Sequence, residues 1–544
     1  MKLNNKGFAL TSIIYMLIVL FLMILLLVLS NLAQRKVVLD KLKYDVKNKL
    51  GQGVIVNTAE LPYQNQTTKI YYETLAEAIT NTTSGDTIKV LKNITDTSTS
   101  TPTVENNKTI ILDLNGYEVT LSEQITNNGT LDIYTSQDNG KIYSSAAIII
   151  DNYGTFTTNG TSNSKTMTLV NTSTSPSSRI ILTRTNSTIN LNENSTLTFS
   201  EAITQGDTLA SRYTITNNGG TITVNGANII NQASNNQYDV GILNAGGYDS
   251  SRLIVNSGII ETGGQAIYNS GGTGNTTSTA AAIISGTETQ ITSNYSYAVY
   301  NTNTSGMVYI QEGNITASNN NTIRNTSTGK IYIEGGTITQ TGTSSTVYNS
   351  STGTIEVTGG NINASGSSTI VNAGAGIINV SGNPIITGST NGITGATGTV
   401  TVRGGTITGS KDGINVSTSN GVSGSVTVTG GIITGGRIGI IAGSGNASVT
   451  IGSDDGNVDT ASPVIISTNT STDSAHGTGI YIEGTGATGT LNFYDGIVKG
   501  PLYSIRLRGS GATQNLPSSG LYEVESGTEV IDGTTYQTAK LKLK

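Results

Sequence analysis

The stretch Ile331-Tyr332-Ile333-Glu334-Gly335-Gly336-Thr337-Ile338-Thr339 decides the fold. Alternating β-branched residues with a glycine corner read as strand, turn and strand, because β-branched side chains suit a pleated surface and glycine admits corner conformations. Versions of the unit return at Val308–Thr316, Ile355–Asn363, Val400–Thr408 and Val426–Thr434. Aligning the last glycine of each gives Gly313, Gly336, Gly360, Gly382, Gly405 and Gly431, in steps of 23, 24, 22, 23 and 26 residues. A nearly constant period in the twenties marks a solenoid, whose repeats bury their apolar faces only by stacking on one another.

A second recurring strand lies between those glycines: Ala266-Ile267-Tyr268-Asn269, Ala298-Val299-Tyr300-Asn301, Thr346-Val347-Tyr348-Asn349 and Thr369-Ile370-Val371-Asn372. Each period therefore holds about three short strands. Ile and Val at alternate positions line a narrow core, Thr and Ser face out, and the Asn closing each coil strand is placed to stack into a ladder. The expected fold is all-β, a right-handed parallel β-helix, preceded by a single N-terminal transmembrane, pilin-like helix. If residues 100–515 all coil, the rod has on the order of 17 coils and is roughly 80 Å long. Residues 51–99 read as linker and amino-terminal cap, with a small helix at Leu75–Ile79 followed by a first strand in the stretch Ser84–Val90, and residues 516–544 as a carboxyl-terminal β cap.

Composition narrows the function. Charged residues make up 12% of the 544, the formal net charge is -6, and no Lys/Arg stripe runs through the body, so nucleic acid is not an expected partner. Cysteine is absent and His476 is the single histidine, which excludes disulfides and thiolate metal sites and leaves little for a His-based zinc site. No metal or other cofactor is expected. Disorder is disfavoured because Ile, Val and Thr recur at short intervals.

The amino terminus carries an uncharged run from Gly7 to Gln34, long enough to cross a bilayer of about 30 Å as a helix. Its apolar part exceeds that of a secretory signal. Val38, Leu42, Val46 and Leu50 continue an apolar helical face. Lys6-Gly7-Phe8-Ala9-Leu10-Thr11-Ser12 resembles the prepilin leader of type IV pilins and pseudopilins, and residues 1–50 resemble the leader and stem helix of that family. The resemblance implies cleavage between Gly7 and Phe8, a methylated Phe8, and contact with pilin-like subunits; Ser12 stands where the family usually has Glu. The body is expected outside the cell membrane, because large domains translocate whatever charges flank the span.

Ser84–Val90, Thr109–Gly116 and Asn127–Leu131 resemble the cap and early coils of pectate-lyase-like surface proteins of Firmicutes, which implies a display role. The enzymatic alternative is a polysaccharide hydrolase or lyase. Asp454-Asp455, His476-Gly477, and Arg506 with Arg508 resemble in order the Asp-Asp, Gly-His-Gly and Arg-x-Lys signatures of polygalacturonases. The departures are Ala475 for the first glycine, no lysine after Arg506, and no Asn-Thr-Asp segment. The alternative for these residues is a solvated loop. Leu516-Pro517-Ser518-Ser519-Gly520 reads as a turn. Tyr268, Tyr300 and Tyr348 share one coil position and form either an outward stacking row for glycans or ring packing at the core or edge. The expected protein is thus a membrane-anchored, surface-displayed solenoid with a structural or adhesive role, not an enzyme. Its expected partners are polysaccharide or cell-surface glycans.

Overall fold

A computed structural model describes residues 16–21, 61–159, 165–175, 177–200, 212–231, 238–395, 397–417, 424–443, 446–471, 476–483 and 488–544. Within them the repeat closes into a parallel β-solenoid of the right-handed type. One turn of chain lays down Lys330–Ile333, Thr337–Gln340 and Val347–Asn349. The next lays Thr354–Val357, Asn361–Ala364 and Ile370–Asn372 onto them in parallel, residue for residue. Three ladders result, called first, second and third in this order. The third has 16 strands, which at about 4.8 Å each makes a stack about 75 Å long.

Coiling starts ahead of residue 100: Thr87–Val90 already pairs in parallel with Thr109–Asp113, and Ile94–Asp96 with Glu118–Leu121. The helix before it runs Leu75–Asn81, with the Thr74 hydroxyl capping its start by accepting from the Glu77 amide. Leu75, Ala76, Ala78 and Ile79 are buried and plug the end of the core. The carboxyl end is an antiparallel hairpin, Tyr522–Ile531 with Thr534–Leu543, whose second strand pairs antiparallel with Ile497–Gly500. Both ends of the stack are thereby protected against strand addition.

Burial alternates with period 2 along the second ladder. On the second ladder Ile291, Ile315, Ile338, Ile362, Ile386, Ile407 and Ile433 stack one per coil, each 0% exposed. Each such side chain contributes about 1.5–3 kcal/mol when buried. The glycine series of the sequence sits at the corner between the first and second ladders, with φ from 66° at Gly382 to 104° at Gly313. Upstream the same corner uses Asn159 (φ 47°) and Asn194 (φ 60°), asparagine being among the residues that best tolerate the left-handed region.

The third ladder ends inward on a row of asparagines, all 0% exposed. The Nδ2 of Asn217 donates to Oδ1 of Asn244 (2.9 Å), and the pattern continues through Asn269, Asn301, Asn325, Asn349 and Asn372 at 2.8–3.0 Å. Second protons go to turn carbonyls, as from Asn349 to Gly353 (2.9 Å) and Asn372 to Gly376 (2.7 Å). The expected ladder is present. It is interrupted at Thr183 upstream and at Gly395 downstream.

Residues 16–21 are helical and exposed. Among the described residues no helix is long and apolar enough to cross a membrane. The rest of the 1–50 segment, including Gly7 and Phe8, lies outside the described residues.

Candidate functional site

Alternation along the third-ladder strands from Gln265–Asn269 to Ile370–Asn372 sends Ile or Val and Asn inward and turns the residue between them outward. That outward position is occupied in successive coils by Tyr268, Tyr300, Arg324 and Tyr348. All four are half-buried. Tyr268 and Tyr300 stack with ring centroids 5.0 Å apart, and Tyr297, at the start of the Tyr300 coil, lies 4.9 Å from the Tyr300 ring. The Arg324 guanidinium sits 5.2 Å from the ring centres of both Tyr297 and Tyr348. The tyrosines thus face outward and also pack against one another, so the geometry carries a part of each option. Edge packing contributes as well, because each ring is covered by its neighbours in the ladder.

Arg324 was not legible from the tyrosine motif alone. Thr322-Ile323-Arg324-Asn325 is the same coil strand as Thr346-Val347-Tyr348-Asn349, 24 residues earlier, with arginine in the tyrosine slot. The period itself is the signal that finds it. Its Nε is buried and meets no hydrogen-bond acceptor among the described residues.

Charge is segregated around this row. Between Gln265 and Lys411 the acidic residues are Glu288, Glu312, Glu334 and Glu356. All lie on the first ladder or the corner that follows it. There a second aromatic pair, Tyr309 and Tyr332 at 5.3 Å, joins a buried ring to a half-buried one. The Tyr309 hydroxyl donates to Glu334, and burial together with that carboxylate pushes the phenol up to about 12. Lys330 is paired with Glu356.

The polygalacturonase-like residues fall on different sides of the coil. Asp454 and Asp455 are exposed at the corner after Ser448–Ile451, a first-ladder strand. His476 lies at the corner between Val464–Ser467 and Thr478–Glu483, and Arg506 is inside the last third-ladder strand. The carboxylates cap backbone: Asp454 accepts from the Ser518 amide (3.0 Å) and Asp455 from the Asn457 amide (2.9 Å). Asp495 joins them by accepting from the Ser453 and Asp459 amides, both at 2.8 Å. Burial, with Asp455 and Asp459 nearby, pushes its carboxyl up against the pull of those amides. This arrangement fits loop closure. Among the described residues no group of three or more His, Cys, Asp or Glu is placed to hold a metal ion.

Arg506 instead repeats the motif of the third ladder, 5.2 Å from the Tyr503 ring centre and 5.7 Å from that of Tyr481. Arg179, at the start of its third-ladder strand and three positions before that slot, lies over Tyr213 at 5.4 Å. Compared with protein families, curated proteins and solved structures, the chain gives no significant match.

Proposed function

We propose that this protein is a surface-displayed rod that holds an extended polysaccharide along its third ladder, with the amino-terminal segment as its membrane anchor. The observation that carries the binding part is the outward run Tyr268, Tyr300, Arg324 and Tyr348, with Tyr297 beside it. Aromatic faces stack on the C–H faces of sugar rings, and the stack of coils presents them at a fixed repeat of about 4.8 Å. A rigid platform loses little entropy on binding, which favours an extended polymer over a compact ligand.

The test is co-sedimentation of the full chain with a panel of insoluble polysaccharides. The double variant Tyr268→Ala/Tyr300→Ala is expected to bind about tenfold more weakly, roughly the loss of two stacked rings. Undiminished binding by the variant removes this face from the function.

The anchor follows from the uncharged run between Gly7 and Gln34 and from the prepilin-like leader around Gly7-Phe8. It also permits association with pilin-like subunits. Mass spectrometry of the protein from its native cells is expected to find a mature terminus at Phe8. An intact Met1 would reject processing and leave a plain anchor; a terminus near Gln34 would reject the anchor as well.

A further inference from the structure

We propose that the polymer held on the third ladder is anionic, its carboxylate or phosphodiester groups meeting the guanidinium groups of Arg179, Arg324 and Arg506. This deepens the binding reading above and rests on it. Four of the described arginines already have a counter-charge. Arg184 forks onto Asp151 at 2.8 and 2.9 Å, and Arg437 onto Asp412 at 2.8 and 2.6 Å. Arg212 faces Asp239 at 3.7 Å, and Arg508 faces Glu483 at 3.4 Å. These pairs hold consecutive coils together.

Arg252 and Arg403, on the first ladder and its corner, have no carboxylate within ion-pair distance among the described residues. Arg179, Arg324 and Arg506 lack one as well, and differ from these two in lying against tyrosine rings on the third ladder. Arg179 hydrogen-bonds only neutral groups, the Thr216 hydroxyl (3.0 Å) and the Ser177 carbonyl (2.9 Å). Arg324 carries a buried Nε with no acceptor among the described residues. A guanidinium held between rings keeps its charge and loses part of its hydration, which strengthens a charge-assisted bond to an incoming anion.

The surroundings favour the same ligand. From Val240 to Gly395 the third-ladder strands contain no Asp or Glu, and Arg324 is their single cation. The glutamates of those coils belong to the first ladder and its corner, apart from Glu261 on the second ladder. Exposed charges more than about 10 Å apart are largely screened at moderate salt, so the net negative charge of the whole chain does not set the field on this face. The three arginines stand on the fourth, ninth and sixteenth strands of the third ladder. They are separated by about 24 and 34 Å at the strand repeat. A chain of many anionic units spans them; a single small anion does not.

The experiment is affinity electrophoresis of the full chain in gels containing alginate as a uronate polymer, poly(glycerol phosphate) as a phosphodiester polymer, or dextran as a neutral one. Retardation by alginate or by poly(glycerol phosphate), but not by dextran, is expected, and which of the two retards it identifies the anion. Binding is expected to weaken about tenfold between low and high salt, and about tenfold in Arg324→Gln with its melting profile unchanged. Should Arg324→Gln melt early, Arg506→Gln on its half-buried site takes its place. Equal retardation by dextran, or no effect of salt, overturns the anionic assignment while leaving glycan binding intact. Retardation by none of the three, together with no co-sedimentation on the insoluble panel, overturns the binding reading itself.

Discussion

Asn325→Ala is expected to destabilise the solenoid by about 4 kcal/mol, from two buried polar groups stranded at about 1–3 kcal/mol each plus a lost contact. Asn325 takes a hydrogen bond from Asn301 (2.9 Å) and gives one to Asn349 (3.0 Å) and others to the Ser327 and Gly329 carbonyls (both 3.1 Å). Alanine leaves the Asn301 amide without an acceptor and the Asn349 oxygen without a donor. Both residues are 0% exposed, so water does not replace the missing partner. Urea unfolding followed by circular dichroism measures the change. A loss below about 1 kcal/mol would mean that the row carries no more than ordinary surface hydrogen bonds.

Gly353→Ala is expected to cost about 3 kcal/mol, at the upper end of what overpacking causes in a tight interior. A β-carbon at this position would overlap Nδ2 of Asn325 and the carbonyl oxygens of Ser327 and Gly329. The chain here cannot retreat, because it is clamped between coils above and below. Comparison with Thr352→Ala, at the exposed residue just before it, separates the overlap from any general sensitivity of the turn. Equal melting of the two variants would sink the explanation.

Close approaches of this kind are not legible in the sequence. The glycines of the first corner were legible because they close a repeating strand motif, and all six have positive φ. Gly329, Gly353, Gly376 and Gly398 recur in steps of 24, 23 and 22 residues, yet none has positive φ. Gly353, Gly376 and Gly398 are glycine because an asparagine amide from the coil below crosses over them, a requirement visible only once the coils are stacked. The asparagines themselves were legible, since Tyr-Asn and Val-Asn end a strand of fixed period. Arg324 is not a tyrosine but obeys the same frame. Asp454, His476 and Arg506 show the opposite failure. Their order along the chain matched a catalytic pattern, but order does not say which of three sides a residue faces. Two separate corners and one strand received them.

The asparagine row has a mechanical consequence. Downstream of Asn372 its position passes to Gly395, then to Val416, Ala442 and Ile482, each buried and without an amide side chain. Six consecutive side-chain bonds run in one direction from Asn217 to Asn372, and bonds chained in this way polarise one another. A rod pulled at its tip therefore has a stiff middle flanked by softer stretches. Strain collects near Thr183 and Gly395, where the inward amide row stops, and the Tyr268–Tyr348 platform rides on the segment that deforms least.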